Sequence, residues 1–571
     1  MRTALALLLV FPIGAASPLL VAVVPDLPGP GPGDEGFAIG CVEACDLTGY
    51  SVTDGESSWT FPPGLLLAAG ESMWVVGNRT PWEAHDGPTP LFAASNLPRL
   101  GNDGDNLALI GPDGAILDAL DFGDGTEFDP PVSPGLVLQR LRSSIGWQDT
   151  DSADDWRTPR LHRIGESDLA RTTFEVERLT LYASPDSSFD ALSTLIASAR
   201  ERLHLHVYEF RSAALADAVV AAKQANPSLD VQVLVDANPV GAGQDDRHAT
   251  ADALRRIEAV GGIAVLAGNG RYDDHHLKVL VADDAVAVQS ENWVPSGVPQ
   301  DPSWGNRGWG AIVHDDAMAD WFVQWMEADR NAWDVQPFDL ASYDPTFTVP
   351  AREAARTGPY GPPVAAKDLV GRFRVTPVVA PDHTQDPRLD SIAILAGHAT
   401  QRLHVQQLDL STSGRNALGW SGSDPLADAF VAAQEGGAQV RVLAAAPFSA
   451  DDTDNAESLD WLAQRDVAGA TFDRSGLVLH NKGLVADGTV VVGSLNGNLH
   501  SRAQNREVAL IVESSEAADY FQGLFESDWS GQSTPRDWSV PGKDLRGLPL
   551  APWPMLLALL GVVATRVRRW S

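Results

Sequence analysis

A chain of 571 residues has room for three or four domains, and a hydrophobic content of 44% is ample for packed cores. Acidic residues outnumber basic ones 76 to 41, for a formal net charge of −35; such a surface repels polyanions and makes nucleic acid a disfavoured partner. Two cysteines are too few for a disulfide scaffold or a cysteine-rich zinc module.

Residues 1–16, MRTALALLLVFPIGAA, combine one Arg, an apolar run and small residues, the pattern of a signal peptide. Residues 17–162 read as all-β: short apolar runs such as LLVAVV, ESMWVVG and NLALIG alternate with Gly, Asp and Pro turns. A small β-sandwich fits. The runs DLTGYSVTDGESSWTFPPG, LGNDGDNLALIGPDGAILDALDFGD and GWQDTDSADDW resemble a lamin-tail domain. That resemblance implies an Ig-like binding or spacing module with a ligand of its own. Cys41 and Cys45 lie four residues apart, and outside the cytoplasm they could form a disulfide. Asn78 opens a glycosylation sequon, GNRT.

From residue 175 strand-like and helix-like segments alternate, which predicts an α/β domain over 175–345. A Pro- and Gly-rich linker over 346–370 leads to a second pass over 371–533 in the same order, and LADAVVAAKQ is echoed by LADAFVAAQE. A further linker, 534–547, precedes an uncharged stretch, 548–565, long enough to span a bilayer. Arg566, Arg568 and Arg569 follow it in the tail 566–571. The positive-inside rule then puts this tail in the cytoplasm and the rest at the cell surface.

The duplication extends to polar residues. His276, Lys278, Asp283, Ser290 and Asn292 recur as His480, Lys482, Asp487, Ser494 and Asn496, each 204 positions on, in a chain with five lysines in all. Residues i and i+2 of a strand share a face, so each His faces the same way as its Lys. Asp-rich turns at ADDA and ADGT return the chain and bring Ser and Asn back beside the His–Lys end. An imidazole can attack phosphorus or protonate a leaving oxygen, while Lys, Ser and Asn can hold the non-bridging oxygens. Taken singly, His204, His206, His398 and His404 read as structural, and His275 points to the opposite face. Trp293, Trp304 and Trp309 could line the mouth of such a site.

This doubled H-x-K-x4-D pattern, followed by S-x-N, resembles the phospholipase D superfamily over residues 177–533. The resemblance implies two α/β halves meeting at one site within a single chain. It also implies a phosphohistidine intermediate, with no cofactor and no metal. The Glu of the family's N-x-E element, which orients a catalytic His, is matched by Glu507 after Asn505. In the first half Asn306 is followed by Gly308 in the Glu position, and Gln289 replaces the Gly before Ser290. His276 then lacks its usual carboxylate unless Asp315, Asp316 or the other half supplies one.

The expected protein is multidomain: an Ig-like β-sandwich, a duplicated phospholipase D-type α/β domain and a C-terminal transmembrane helix. The expected activity is that of a membrane-anchored phosphodiesterase or phosphatidyltransferase acting on phospholipid. Its expected catalytic residues are His276, Lys278, Asp283, His480, Lys482, Asp487 and Glu507, with Ser290, Asn292, Ser494 and Asn496 on the phosphate. A secreted nuclease and a catalytically decayed binding scaffold are the rival readings.

Overall fold

The computed structural model describes residues 18–531 except 26–34, 78–90, 93–96, 102–103, 124–135, 141, 144–145, 153–154, 157–159, 162–168, 170, 333, 353–355, 385–389, 416–420 and 448–453. The expected signal peptide, the Asn78 sequon and the expected membrane span at 548–565 lie outside these residues.

The N-terminal region is two packed β-sheets. One holds six strands, among them Leu19–Val24, Gly36–Gly40 and Ser72–Val76, and the other four, including Gly104–Ile110 and Ile116–Gly123. Alternating apolar residues turn inward from both: Leu20, Val23, Phe37 and Ile39 meet Val52, Leu107, Leu109 and Phe122 in one core. Arg140 ties the layers together, donating at 2.8 Å to both oxygens of buried Asp118. Cys41 and Cys45 are joined by a disulfide.

The remainder is built on one 16-stranded sheet that runs through both halves. In the first half Arg202–Val207, Asp230–Asp236 and Ile263–Ala267 are parallel neighbours. The hairpin Lys278–Ala282/Ala285–Gln289 and the strand Gly305–His314 follow in antiparallel order. The second half repeats this with Arg402–Gln407, Gln439–Ala444 and Ala468–Thr471, then the hairpin Lys482–Ala486/Thr489–Gly493 and Glu507–Glu513. The halves join where Phe174–Ser184 pairs antiparallel with Lys367–Ala380. The strand Lys367–Ala380 therefore begins inside the segment read as a linker.

Helices Asp316–Arg330 and Ser515–Ser530 cover one face in a single core shared by both halves. The helices within 188–258 and within 391–463 pack in one separate cluster per half, and Ala503 of the short helix Leu499–Ala503 joins the core of the N-terminal sheets. Trp293 and Trp309, each 1% exposed, belong to these cores and line no site mouth. Their rings pack on Phe210 and on Phe521 of the other half. Trp304 is partly exposed and carries Arg356 over its ring at 4.3 Å.

Two buried arginines lock the halves reciprocally. Arg307 of the first half pairs with Asp528 of the second at 2.9 Å, and Arg506 of the second pairs with Asp329 of the first at 2.7 Å. Each also holds an Asp of its own half, Asp186 and Asp382 respectively. All these side chains are at most 1% exposed.

The expected fold class needs one correction. Among the described residues no helix is long and apolar enough to cross a membrane; the longest, Ser515–Ser530, has 16 residues. The transmembrane part of the fold class, and the anchoring and cell-surface placement that rested on it, are therefore not supported. What remains is an N-terminal β-rich region and a duplicated α/β core.

Removing one member of a buried ion pair strands its partner, typically at a cost of about 3–5 kcal/mol. Asp329→Ala should destabilise the protein by that order in urea unfolding. Asp320→Ala, which removes an exposed partner of Arg202, should cost less than about 1 kcal/mol. Equal effects would contradict the locking role.

Candidate active site

Each hairpin is made by its turn. Asp283 and Asp487 sit at φ +50° and +51°, the left-handed region that Asp tolerates better than most residues. Their carboxylates accept backbone N–H groups of Arg200, Glu201 and Arg202 at 2.7–3.0 Å, and of Thr400, Gln401 and Arg402 at 2.9 Å. The hairpin tip is thereby pinned to the start of the neighbouring strand. Five residues of strand, about 16 Å, separate each Asp from its Lys. The structure places Asp283 and Asp487, both expected to be catalytic, at the hairpin tips, where their carboxylates hold backbone N–H groups.

At the other end of the hairpins the halves meet. His276 Nδ1 lies 2.9 and 2.8 Å from the two carboxylate oxygens of Glu507, which comes from the opposite half. His480 Nδ1 lies 3.1 Å from the Ser290 carbonyl and 3.4 Å from Glu291 Oε2, again across the halves. The imidazole side chains are 10% and 14% exposed. Lys278 Nζ donates to the His276 carbonyl at 2.7 Å, and Lys482 Nζ donates to the His480 carbonyl at 2.7 Å. Lys482 Nζ also lies 2.8 Å from His480 Nδ1.

The serine hydroxyls turn to the neighbouring strand. Ser290 Oγ accepts the Trp309 N–H at 3.1 Å and donates to Glu291 Oε1 at 3.2 Å. Ser494 Oγ accepts the Val508 N–H at 3.0 Å. Both residues, expected on the phosphate, are fully buried, and their hydroxyls brace the next strand. Asn292 donates to buried Glu209 at 2.6 Å. The Oδ1 atoms of Asn292 and Asn496 are buried with no hydrogen-bond partner among the described residues.

The Gln289 departure has a local compensation. Gln289 faces Gly310 across the ladder, whereas Gly493 faces Ala509. Tyr182 fills the space beside Gly310, where a Cβ would come within 2.2 Å of its ring, and donates to Gln289 at 3.0 Å.

Burial dominates the electrostatics. It lowers His276 well below the usual imidazole range, aided by the charges of Lys278 and Lys482. It also lowers His480, with Lys482 acting the same way. Lys278 is pushed down to about 8 by burial, although Glu507, Glu209, Glu291 and Asp274 oppose this. Burial and Lys278 take Lys482 well below the ordinary ammonium range. Glu507 is pushed up to about 7 by burial, against the pull of Lys278 and its hydrogen-bonding neighbours. Burial also acts to raise Glu291, but His480 and Lys482 outweigh it and leave Glu291 lowered.

Other histidines serve the fold: His204 pairs with Asp230 at 2.8 Å and His404 stacks on Phe525. His275 is fully buried against Tyr272. The cluster residues that sequence reasoning missed are Glu291, Glu209 and Ser501, whose hydroxyl donates to Glu507 at 2.6 Å. An available signal was the acidic residue inside S-E-N, where the second half has Leu495.

A family model described as cardiolipin synthase, PLD-like domain, matches residues 192–330 and 398–529. The match does not extend to the N-terminal β-region, so the lamin-tail resemblance gains nothing from it. Similar solved structures include a phosphatidylserine synthase from Haemophilus influenzae Rd KW20, with 15% identity, 67% of this chain and 93% of that chain covered, and a TM-score of 0.47. A phospholipase D family member, Nuc from Salmonella typhimurium, gives 19% identity, 30% and 99% coverage and a TM-score of 0.24. NucT from Helicobacter pylori gives 18%, 30%, 100% and 0.23. No curated protein matches the chain.

Between its ordinary 4.5 and about 7, only the folded chain keeps the Glu507 proton. The stability this group contributes is thus complete below 4.5 and is lost as the pH rises through 7. Glu507→Gln should flatten the fall in stability over that window, as read by urea unfolding at stepped pH. An unchanged slope would exclude Glu507 as its source.

Proposed function

Starting from a chain whose residues 192–330 and 398–529 belong to the phospholipase D superfamily, we propose that it hydrolyses or transfers phosphodiesters at one site shared by the two halves. One imidazole Nε2 attacks phosphorus, and the bond from phosphorus to the leaving alcohol breaks. The other imidazole, protonated, passes its proton to that oxygen. It then takes a proton from water or from a second alcohol, which attacks phosphorus and breaks the phosphorus–nitrogen bond. Lys278 and Lys482 meet the charge that develops on the non-bridging oxygens.

The observation that supports this reading is the pairing of both imidazoles, through Nδ1, with groups of the opposite half. That contact orients each ring, as a triad carboxylate does; Lys482 Nζ lies 3.3 Å from His480 Nε2, beside the nitrogen that would meet the substrate. Two oriented imidazoles between two lysines also argue against a decayed scaffold. A phospholipid is the substrate class we favour over nucleic acid, because a net charge of −35 opposes a polyanion. A membrane anchor is no part of this reading. We read the N-terminal sandwich as a binding or spacing module, a role supported only by its own lamin-tail-like motifs.

The protein, incubated with phospholipid vesicles and a primary alcohol, should form the phosphatidyl alcohol. His276→Ala and His480→Ala should each slow this by at least about 10³-fold, within the range for a lost acid–base group. Cleavage of single-stranded DNA without lipid turnover would replace the lipid assignment. Normal turnover by either Ala variant would overturn the mechanism.

A further inference from the structure

Gly308 stands where the second half has Glu507, yet the space beside it is not empty. A Cβ built at Gly308 would lie 1.9 Å from Glu291 Oε1 and 2.6 Å from its carboxyl carbon. The side chain of Glu291 therefore fills the volume that a side chain at 308 would need. It reaches that volume from the turn after Ala285–Gln289, one strand away from the position of Glu507.

The surroundings of the two carboxylates correspond. Glu507 meets the Ser and Asn of its own half, Ser494 and Asn505, and the histidine of the other half, His276. Glu291 meets Ser290 and Asn306 of its own half and His480 of the other. Its Oε2 is buried and lies 3.4 Å from His480 Nδ1. The second half shows the reverse exchange, with apolar Leu495 at the position of Glu291. A carboxylate thus lies beside each histidine, from position 507 for His276 and from position 291 for His480.

We propose that Glu291 is the positioning residue for His480, taking the place of the carboxylate absent at position 308, and that Gly308 is required to admit it. The proposal rests on the phosphodiester-transfer reading of the site. It makes the two positions interdependent: a side chain at 308 is harmful while Glu291 is present and useful once Glu291 is gone.

The test compares Glu291→Gln, Glu291→Leu, Gly308→Glu and the double variant Glu291→Leu/Gly308→Glu. Two readouts apply: cleavage of bis(p-nitrophenyl) phosphate, and nitrogen-15 histidine ring spectra titrated with pH. Glu291→Gln keeps volume and should lower kcat by about 10–100-fold, as for lost partners of working imidazoles, with little change in KM. The His480 ring should change its tautomer balance and titrate lower, while the His276 ring keeps its signals. Gly308→Glu alone should lose activity and melt earlier. The double variant should regain at least about tenfold over Glu291→Leu, the lower end of the cost of a lost partner, together with the parent His480 signals. Unchanged kcat and His480 spectra in Glu291→Gln would overturn the proposal, as would a folded double variant no better than Glu291→Leu. If the parent cleaves no phosphodiester, the reaction assignment fails and the ring spectra alone decide the role of Glu291.

Discussion

The reciprocal exchange of charge across the Phe174–Ser184/Lys367–Ala380 seam is the constraint on which the rest of this structure depends. Arg307 needs Asp528 and Arg506 needs Asp329, each from the opposite half. A buried ion stays charged only if it is paired. A half folded alone would leave two such groups, one Arg and one Asp, without their partners across the seam. The shared core beneath helices Asp316–Arg330 and Ser515–Ser530 adds a non-directional attraction, whereas the arginine pairs set the register of one half on the other.

The same exchange organises the chemistry. Arg307 and Arg506 lie beside Gly308 and Glu507 in the paired N-R-G and N-R-E segments. The ion pairs that seat the halves therefore also seat the strands that orient the histidines. His276 leans on Glu507 and His480 on Ser290 and Glu291, so each imidazole takes part of its support from the opposite half. Two lysines and two imidazoles are buried beside Glu507, Glu209 and Glu291 at the centre of a strongly acidic chain. Low exposure strengthens charge interactions there at short range, while the acidic exterior repels extended polyanions.

The departures from internal symmetry are compensated by neighbouring residues. Gln289 for Gly is answered by Gly310 for Ala, with Tyr182 filling the gap. Gly308 for Glu is answered by Glu291 for Leu. In both cases volume and hydrogen-bonding capacity return to the same place by another backbone route, as close packing requires of a core that cannot hold a void or a clash.

The amino-acid sequence alone determined the duplication, the α/β order of each half and the His–Lys faces. These follow from period-two alternation and a constant offset of 204 residues, which are local properties of a chain. The same local pattern could not tell turn-forming from catalytic carboxylates: Asp283 and Asp487 recur as faithfully as the histidines, yet they bind backbone at the far end of each hairpin. Recurrence reports shared structure and shared chemistry alike. Nor could it assign Ser290 and Ser494, whose hydroxyls turn to the neighbouring strand. The partner of each imidazole was decided only by the tertiary structure, because Glu507 lies 231 residues from His276 and Glu291 lies 189 residues from His480. Contacts made across a pseudo-twofold seam have no sequence period, and a carboxylate that changes strands keeps its place in space while losing its place in the motif.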